Sequence, residues 1–150
     1  MTLIELILVM ALLVITLTVT TPALSNFFRG RRSQEEARRL LALTRFARSE
    51  AISRGTTLEL WINPQLKAYG LKPLSIAADE NMKLREYQLA DRLEFDIDSR
   101  QLDNRGLGII LYLPDGTIDE GSPDAIGIKE SAEGGVMLER AAVGEGYIIR

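Results

Sequence analysis

From residue 6 to residue 28 the chain carries no charged side chain. Residues 6–15 are continuously apolar, and Thr16, Thr18, Thr20 and Thr21 then dilute the run. A membrane-spanning helix needs about 20 mostly apolar residues, and residues 3–24 meet that requirement. A helix on a globular core would return a polar side chain every three or four positions. None occurs here until Thr16, and a threonine hydroxyl can turn back to the helix backbone. The alternatives fit less well. A fully enclosed core helix would need more chain around it than the sequence after Gly55 offers. A cleavable secretory signal would begin with basic residues and end at a small-x-small site, whereas this start is uncharged, Glu5 is acidic and no such site precedes Arg29. Residues 1–28 therefore read as a transmembrane anchor.

Glu5 breaks the chemistry of that anchor. A charge in hydrocarbon costs at least about 2.5–3.5 kcal/mol on insertion scales, so such residues carry a partner or a function. Two readings stand. Glu5 lies in the first helical turn, where the helix dipole favours negative charge. Alternatively it awaits a cation. A straight helix points the α-amino group of Met1 away from its own fifth residue, but the amino terminus of a neighbouring, staggered subunit would reach it. The second reading predicts assembly within the membrane.

Pro22 sits inside the helical pattern, removes a backbone donor and clashes one turn back, so a kink near residues 18–22 is expected. Helix then resumes. Residues 33–54 lack Gly and Pro and are rich in Ala, Leu, Arg and Glu, which are good helix formers. Ala37, Leu40, Leu41, Thr44, Ala47, Ala51 and Ile52 recur at three- and four-residue steps and make one apolar stripe. It is expected to pack on the remainder of the chain. Gly55 ends the helix as a C-terminal cap, after Arg48 and Arg54 near the negative end of the dipole. If continuous, residues 1–54 would extend about 80 Å at about 1.5 Å per residue, so half must lie in lipid or against a partner.

Beyond Gly55 the texture changes. Short apolar or alternating runs at 57–62, 67–71, 92–97, 109–113, 125–129, 136–140 and 147–149 are separated by turn residues such as Asn63-Pro64, Pro114-Asp115-Gly116 and Gly121-Ser122-Pro123. That spacing predicts antiparallel strands. Residues 77–89 read as a loop or short helix. The fold class is α+β, with three segments: anchor 1–28, amphipathic continuation 29–55, and a β-rich domain 56–150. No linker separates anchor from domain, so the two are mechanically coupled.

Composition excludes several functions. The chain has no Cys and no His, which removes disulfides, thiol catalysis, the Ser-His-Asp triad and histidine metal sites. An enzyme would need a carboxylate pair such as Asp96 and Asp98, two apart on one strand face, which is also how a solvated face reads. Asp115, Asp119, Glu120 and Asp124 form an acidic loop with oxygen ligands for calcium, but their spacing matches no EF-hand. No cofactor or metal is expected. Net charge is −3 overall but unevenly placed. Residues 29–54 hold eight basic and three acidic side chains, and residues 115–150 hold eight acidic and three basic. Nucleic-acid binding depends on neutralising phosphates with an exposed basic patch. Only the helix arginines are basic, so no nucleic-acid partner is expected, nor a small-molecule substrate.

Met1-Thr2-Leu3-Ile4-Glu5-Leu6, followed by an apolar run, resembles the mature amino terminus of type IV pilins and type II secretion pseudopilins, whose consensus reads Phe-Thr-Leu-Ile-Glu-Leu. Ala47-Arg48-Ser49-Glu50-Ala51-Ile52-Ser53-Arg54-Gly55 resembles the helix end of the H-type minor pseudopilin of type II secretion and its FimT/FimU relatives in type IV pili. Leu113-Pro114-Asp115-Gly116 and the residues at 136–140 and 144–149 resemble that family's later turn and closing hairpin. The Pro-Asp-Gly segment is in any case a good β-turn.

The resemblance implies a pilin-like fold and a structural role as a minor pseudopilin, a tip or initiating subunit of a periplasmic pseudopilus that supports protein export. It implies that prepilin peptidase removes a leader and N-methylates Met1, so that the sequence corresponds to the mature form. Glu5 would register the subunit against a neighbour's amino terminus. Partners would be other major and minor pseudopilins or pilins and inner-membrane lipid. The chain would cross the bacterial inner membrane once, with its C-terminal domain in the periplasm. The positive-inside rule would instead hold the basic segment after residue 28 in the cytoplasm. Two other readings stay open: a minor pilin that primes a type IV pilus or DNA uptake, and a stand-alone membrane-anchored binding module.

Overall fold

The computed structural model describes residues 2–74, 85–130, 135–141 and 146–150, and of residues 19–30 the backbone alone. The chain divides into two compact units, Met1–Arg32 and Ser33–Arg150. One helix, α1 (Leu3–Arg54), contributes to both.

In the first unit α1 is helical on both sides of Pro22. The side chains of Met1 and Pro22 lie outside the described residues. Every described side chain from residue 2 to residue 18 is exposed, Leu3 at 80% and Leu17 at 63%. Thr16 donates its hydroxyl to the carbonyls of Leu12 and Leu13 at 3.0 and 2.9 Å, and Thr18 to those of Val14 and Ile15 at 3.1 and 2.8 Å. Both hydroxyls are thereby satisfied within an otherwise apolar surface. Among the described residues no helix is long and apolar enough to cross a membrane. The expected span extends past residue 18, the last of its residues with a described side chain.

In the second unit α1 buries Ser33, Ala37, Leu40, Leu43, Thr44, Ala47 and Ala51. The steps of three and four keep these positions on one face. Leu41 is partly buried against the core. Ile52, expected on the stripe, is half-exposed, and Leu43 is buried in its stead. The helix ends in a Schellman arrangement: Thr56 N–H donates to Ala51 C=O at 3.2 Å and Gly55 N–H to Ile52 C=O at 3.3 Å. Gly55 sits at φ +63°, where a residue lacking Cβ has no steric penalty.

Eight strands follow among the described residues: β1 (Leu58–Asn63), β2 (Ala68–Pro73), β3 (Arg85–Gln88), β4 (Leu93–Asp96), β5 (Gly108–Tyr112), β6 (Ala125–Glu130), β7 (Gly135–Arg140) and β8 (Tyr147–Ile149). They form two four-stranded antiparallel sheets, ordered β3-β2-β1-β5 and β4-β6-β7-β8. The seven runs read from the sequence each became a strand. The segment read as loop or short helix contains β3, which is a correction. Its sequence, Arg-Glu-Tyr-Gln, has no apolar alternation, and it is a strand because its backbone pairs with β2. Tyr87 then stacks on Tyr69 at 5.5 Å between ring centroids, and the Arg85 guanidinium lies 4.2 Å over the Phe46 ring of α1. Residues 75–84 lie outside the described part.

One core joins the elements. Leu58, Leu60 and Ile62 alternate along β1 and face the helix stripe together with Tyr69, Leu71, Ile110 and Tyr112 of the same sheet. The second sheet adds Leu93, Phe95, Ile126, Ile128, Leu138 and Tyr147. Tyr69 meets Phe95 edge-on at 5.8 Å and so ties the two sheets. Its hydroxyl donates to Glu36 of α1 at 3.4 Å. On the outer face Glu59 stands opposite Lys72 across β1 and β2, with Lys72 Nζ 2.9 Å from Glu59 Oε1. That oxygen is buried and ion-paired but off the axis of a hydrogen bond.

Tyr69, Tyr112 and Tyr147 are almost wholly buried. Burial raises all three hydroxyl pKa values above the ordinary 10, and for Tyr69 the Glu36 charge adds to it. A group whose folded pKa is raised stabilises the fold below its unfolded pKa and loses that contribution as pH climbs. The melting temperature should therefore fall between about pH 8 and about pH 11, and fall less in a Tyr69→Phe/Tyr112→Phe variant. Equal melting temperatures at the two pH values would rule this out.

Candidate functional site

At the amino-terminal end, Thr2-Leu3-Ile4-Glu5 has the spacing of a capping box, in which the fourth side chain reaches back to the cap residue's N–H. Glu5 N–H donates to Thr2 C=O at 3.0 Å, and Thr2 N–H donates to Glu5 Oε2 at 3.3 Å. The carboxylate thus satisfies one of the donors that every helix leaves open at its start and lies where the helix dipole favours it. This gives the first-turn reading of Glu5 a geometry. It occupies one carboxylate oxygen with a modest hydrogen bond and leaves the group on an exposed surface.

In the second unit, the two motifs singled out from the sequence meet. The Leu113–Gly116 turn closes with Gly116 N–H donating to Leu113 C=O at 2.9 Å, and Leu113 N–H donates to Thr117 C=O at 2.9 Å. This is a type of three-residue hairpin loop that needs its last residue in the left-handed region, and Gly116 stands at φ +83°. Asp115 Oδ1 accepts from Thr117 N and Oγ1 at 2.9 and 2.7 Å. Arg48 of α1 donates Nε–H to the Gly116 carbonyl at 2.9 Å. A Cβ on Gly116 would come within 2.5 Å of Ile52 Cδ1.

Seven of the nine residues of the 47–55 motif have a physical task. Ala47 and Ala51 are fully buried and let the backbone approach the sheets, Arg48 and Ile52 receive the turn, Glu50 pairs with Arg54, and Gly55 closes the helix. The Pro-Asp-Gly turn is therefore a turn that is also seated on the helix, a contact no spacing in the sequence reveals.

The remaining candidates separate. Asp96 pairs with Lys129, whereas Asp98 caps a short 3-10 turn at Ser99–Gln101 and holds Arg100 at 2.7 Å. Hydrogen bonds from the Arg100 side chain and backbone pull the Asp98 carboxyl down to about 2, and each carboxylate has its own cationic partner. In the acidic loop, Asp119 Oδ2 accepts from Gly121 N at 3.0 Å and Asp124 Oδ2 from Gln101 Nε2 at 2.9 Å. Among the described residues no three acidic side chains converge as metal ligands.

Gly116→Ala should cost about 1–3 kcal/mol from left-handed strain and the clash with Ile52. Ile52→Ala on that background should return part of the loss, and Arg48→Ala alone should cost about 1 kcal/mol. Urea unfolding midpoints measure all three. A neutral Gly116→Ala would disprove the seating of this turn.

Among solved structures, the crystal structure of the type IV minor pilin FimU from Pseudomonas aeruginosa strain PAO1 has the same fold, with a TM-score of 0.56 at 18% identity over 83% of this chain and 90% of that one. No curated protein matches the chain in sequence. The family model described as type II transport protein GspH matches residues 36–142, which contain the buried helix stripe, the seated turn and seven of the eight strands. The chain belongs to the GspH family of type II transport proteins, with a pilin-like α+β fold.

Proposed function

We propose that this chain is a minor pseudopilin, a structural subunit of a periplasmic filament that supports protein export, placed at its tip or initiating its growth. The observation that carries this reading is the charge-free helical surface of residues 6–18, exposed along its whole described length and headed by Glu5. Apolar surface on that scale marks a lipid or protein contact. Membership of the GspH family supports the filament role.

In this reading residues 1–28 anchor the subunit in the inner membrane and residues 29–55 carry the helix into the sheet domain. The described residues 2–18 supply most of the about 20 apolar residues a span requires. In the sequence Val19, Ala23 and Leu24 continue the run. Prepilin peptidase processes and methylates Met1. The amino group of one subunit then displaces the weak Thr2 bond at the next subunit's Glu5, exchanging a 3.3 Å hydrogen bond for an ion pair in a low-dielectric setting. The coupling aligns neighbouring helices in register. Pro22 supplies a bend between the anchor and the sheet-bearing part of the helix.

A second reading, a minor pilin priming a type IV pilus, is favoured by the likeness to a solved type IV minor pilin. It uses the same Glu5 chemistry in another filament.

Replacing Glu5 with Ala separates filament subunit from stand-alone module. With one engineered cysteine per subunit in a chain that has none, crosslinking to co-expressed pilin-like subunits should fall at least about tenfold, as expected for loss of a charge-assisted pair. The variant should remain in the membrane after alkaline carbonate extraction. Undiminished crosslinking without Glu5 would sink the registration mechanism, and extraction of the unaltered chain would sink the anchor.

A further inference from the structure

A groove of about 470 Å³ opens between the last turns of α1 and β8. Arg45, Arg48 and Ser49 line it from the helix, Tyr147 and Ile148 line it from the strand, and Tyr112 contributes as well. Three features of this groove point to a ligand.

The first is the backbone of β8, an edge strand of its sheet. Arg150 N–H donates to Met137 C=O at 2.8 Å, Met137 N–H donates to Arg150 C=O at 3.4 Å, and Ala141 N–H donates to Gly146 C=O at 2.9 Å. In an antiparallel ladder hydrogen-bonded pairs alternate with non-bonded ones. Tyr147 and Ile149, opposite Arg140 and Leu138, therefore direct their N–H and C=O groups off the sheet edge. Such an edge is a template for another strand.

The second is the Tyr112 hydroxyl. The residue is 1% exposed, and among the described residues nothing meets its oxygen in hydrogen-bonding geometry. Thr44, whose own proton goes to the Leu41 carbonyl at 2.8 Å, lies beside it but outside hydrogen-bonding geometry. A buried hydroxyl without a partner is costly. Tyr147, by contrast, donates to the Pro123 carbonyl.

The third is charge. Arg45 is exposed on the rim. Ile52 and Ile148, each about half-exposed, add apolar surface.

We propose that this groove receives an extended, acidic peptide segment of a neighbouring filament subunit, which adds to the sheet as a fifth strand beside β8. An extended backbone offers alternating carbonyls and amides to Tyr147 and Ile149, a carbonyl to the Tyr112 hydroxyl, and a carboxylate to Arg45. A free anion can accept from Arg45 and Tyr112 but leaves the β8 edge unpaired, and a helix has its own backbone groups bonded internally. The source of the strand rests on the filament reading above; the groove's preference does not.

The test uses the full chain in detergent micelles, with amide exchange followed by NMR. The probes are acetylated, amidated peptides of sequence Glu-Val-Glu-Val-Glu and Lys-Val-Lys-Val-Lys, with succinate as a small dianion. The acidic peptide is expected to slow exchange at Tyr147 and Ile149 about tenfold or more at saturation. Arg45→Glu should weaken it about tenfold or more, and Tyr112→Phe about three- to tenfold without lowering the melting temperature. Ile149→Pro, which removes an N–H that pairs with nothing inside the sheet, should fold and should abolish the protection. Equal binding of the basic peptide, binding without protection of Tyr147 and Ile149, complete displacement by succinate, or no binding would each overturn the proposal. The Glu5→Ala chain should bind the acidic peptide unchanged, so failure of membrane assembly and failure of the groove are read separately.

Discussion

Two sheets of four strands each have an apolar inner face, and one helical stripe helps to cover both. Ser33, Ala37, Leu40, Leu43, Thr44, Ala47 and Ala51 are buried along α1, and the core they enter draws on β1, β2 and β5 as well as β4, β6, β7 and β8. The stripe mixes sizes for a packing reason. Ala37, Ala47 and Ala51 bring the helix backbone close to the sheets, and Leu40 and Leu43 fill the wider gaps at near-crystalline density. A side chain of another volume at any of these positions is felt by both sheets, because the interior transmits strain and has no slack to absorb it.

Polar contacts fix the orientation that the apolar stripe leaves open. Hydrophobic burial is non-directional, whereas Arg48 on the Gly116 carbonyl, Tyr69 on Glu36 and Arg85 over Phe46 each admit one arrangement. They fasten three parts of the sheet unit to the helix: the β5 turn, β2 and β3. After the Schellman closure at Gly55, only three residues separate the helix end from β1. A subunit built this way has a stiff junction between residues 33–54 and its sheets. That stiffness suits the structural role of its family, since a filament is held by surfaces whose relative positions do not relax.

At the other end the physical problem is one of solvent. An uncharged helical surface has no stable partner in water, and a carboxylate has none in lipid unless something donates to it. The Thr2–Glu5 bond is the smallest local answer to the second difficulty. Under the proposed function, first-turn capping and assembly are consecutive uses of one group. A charge that is only lightly held by its own helix can be taken over by a cation from elsewhere.

Local pattern was enough for much of this. The steps of three and four in residues 37–51, the glycine after Arg54, and the alternating runs between turn residues foretold the helix end, the stripe and every strand except β3. These features repeat within one element, so a short window of sequence contains the whole signal. Residues 47–55, which lie inside the span matched by the family, likewise carried it. Tertiary structure alone decided the rest. It divided the strands into two sheets, made a strand of Arg85–Gln88, buried Leu43 and left Ile52 at the rim, seated the Pro-Asp-Gly turn on Arg48, and placed Tyr112 without a partner beside the open edge of β8. Each of these depends on which distant residues become neighbours, and periodicity along one segment has no access to the register of another.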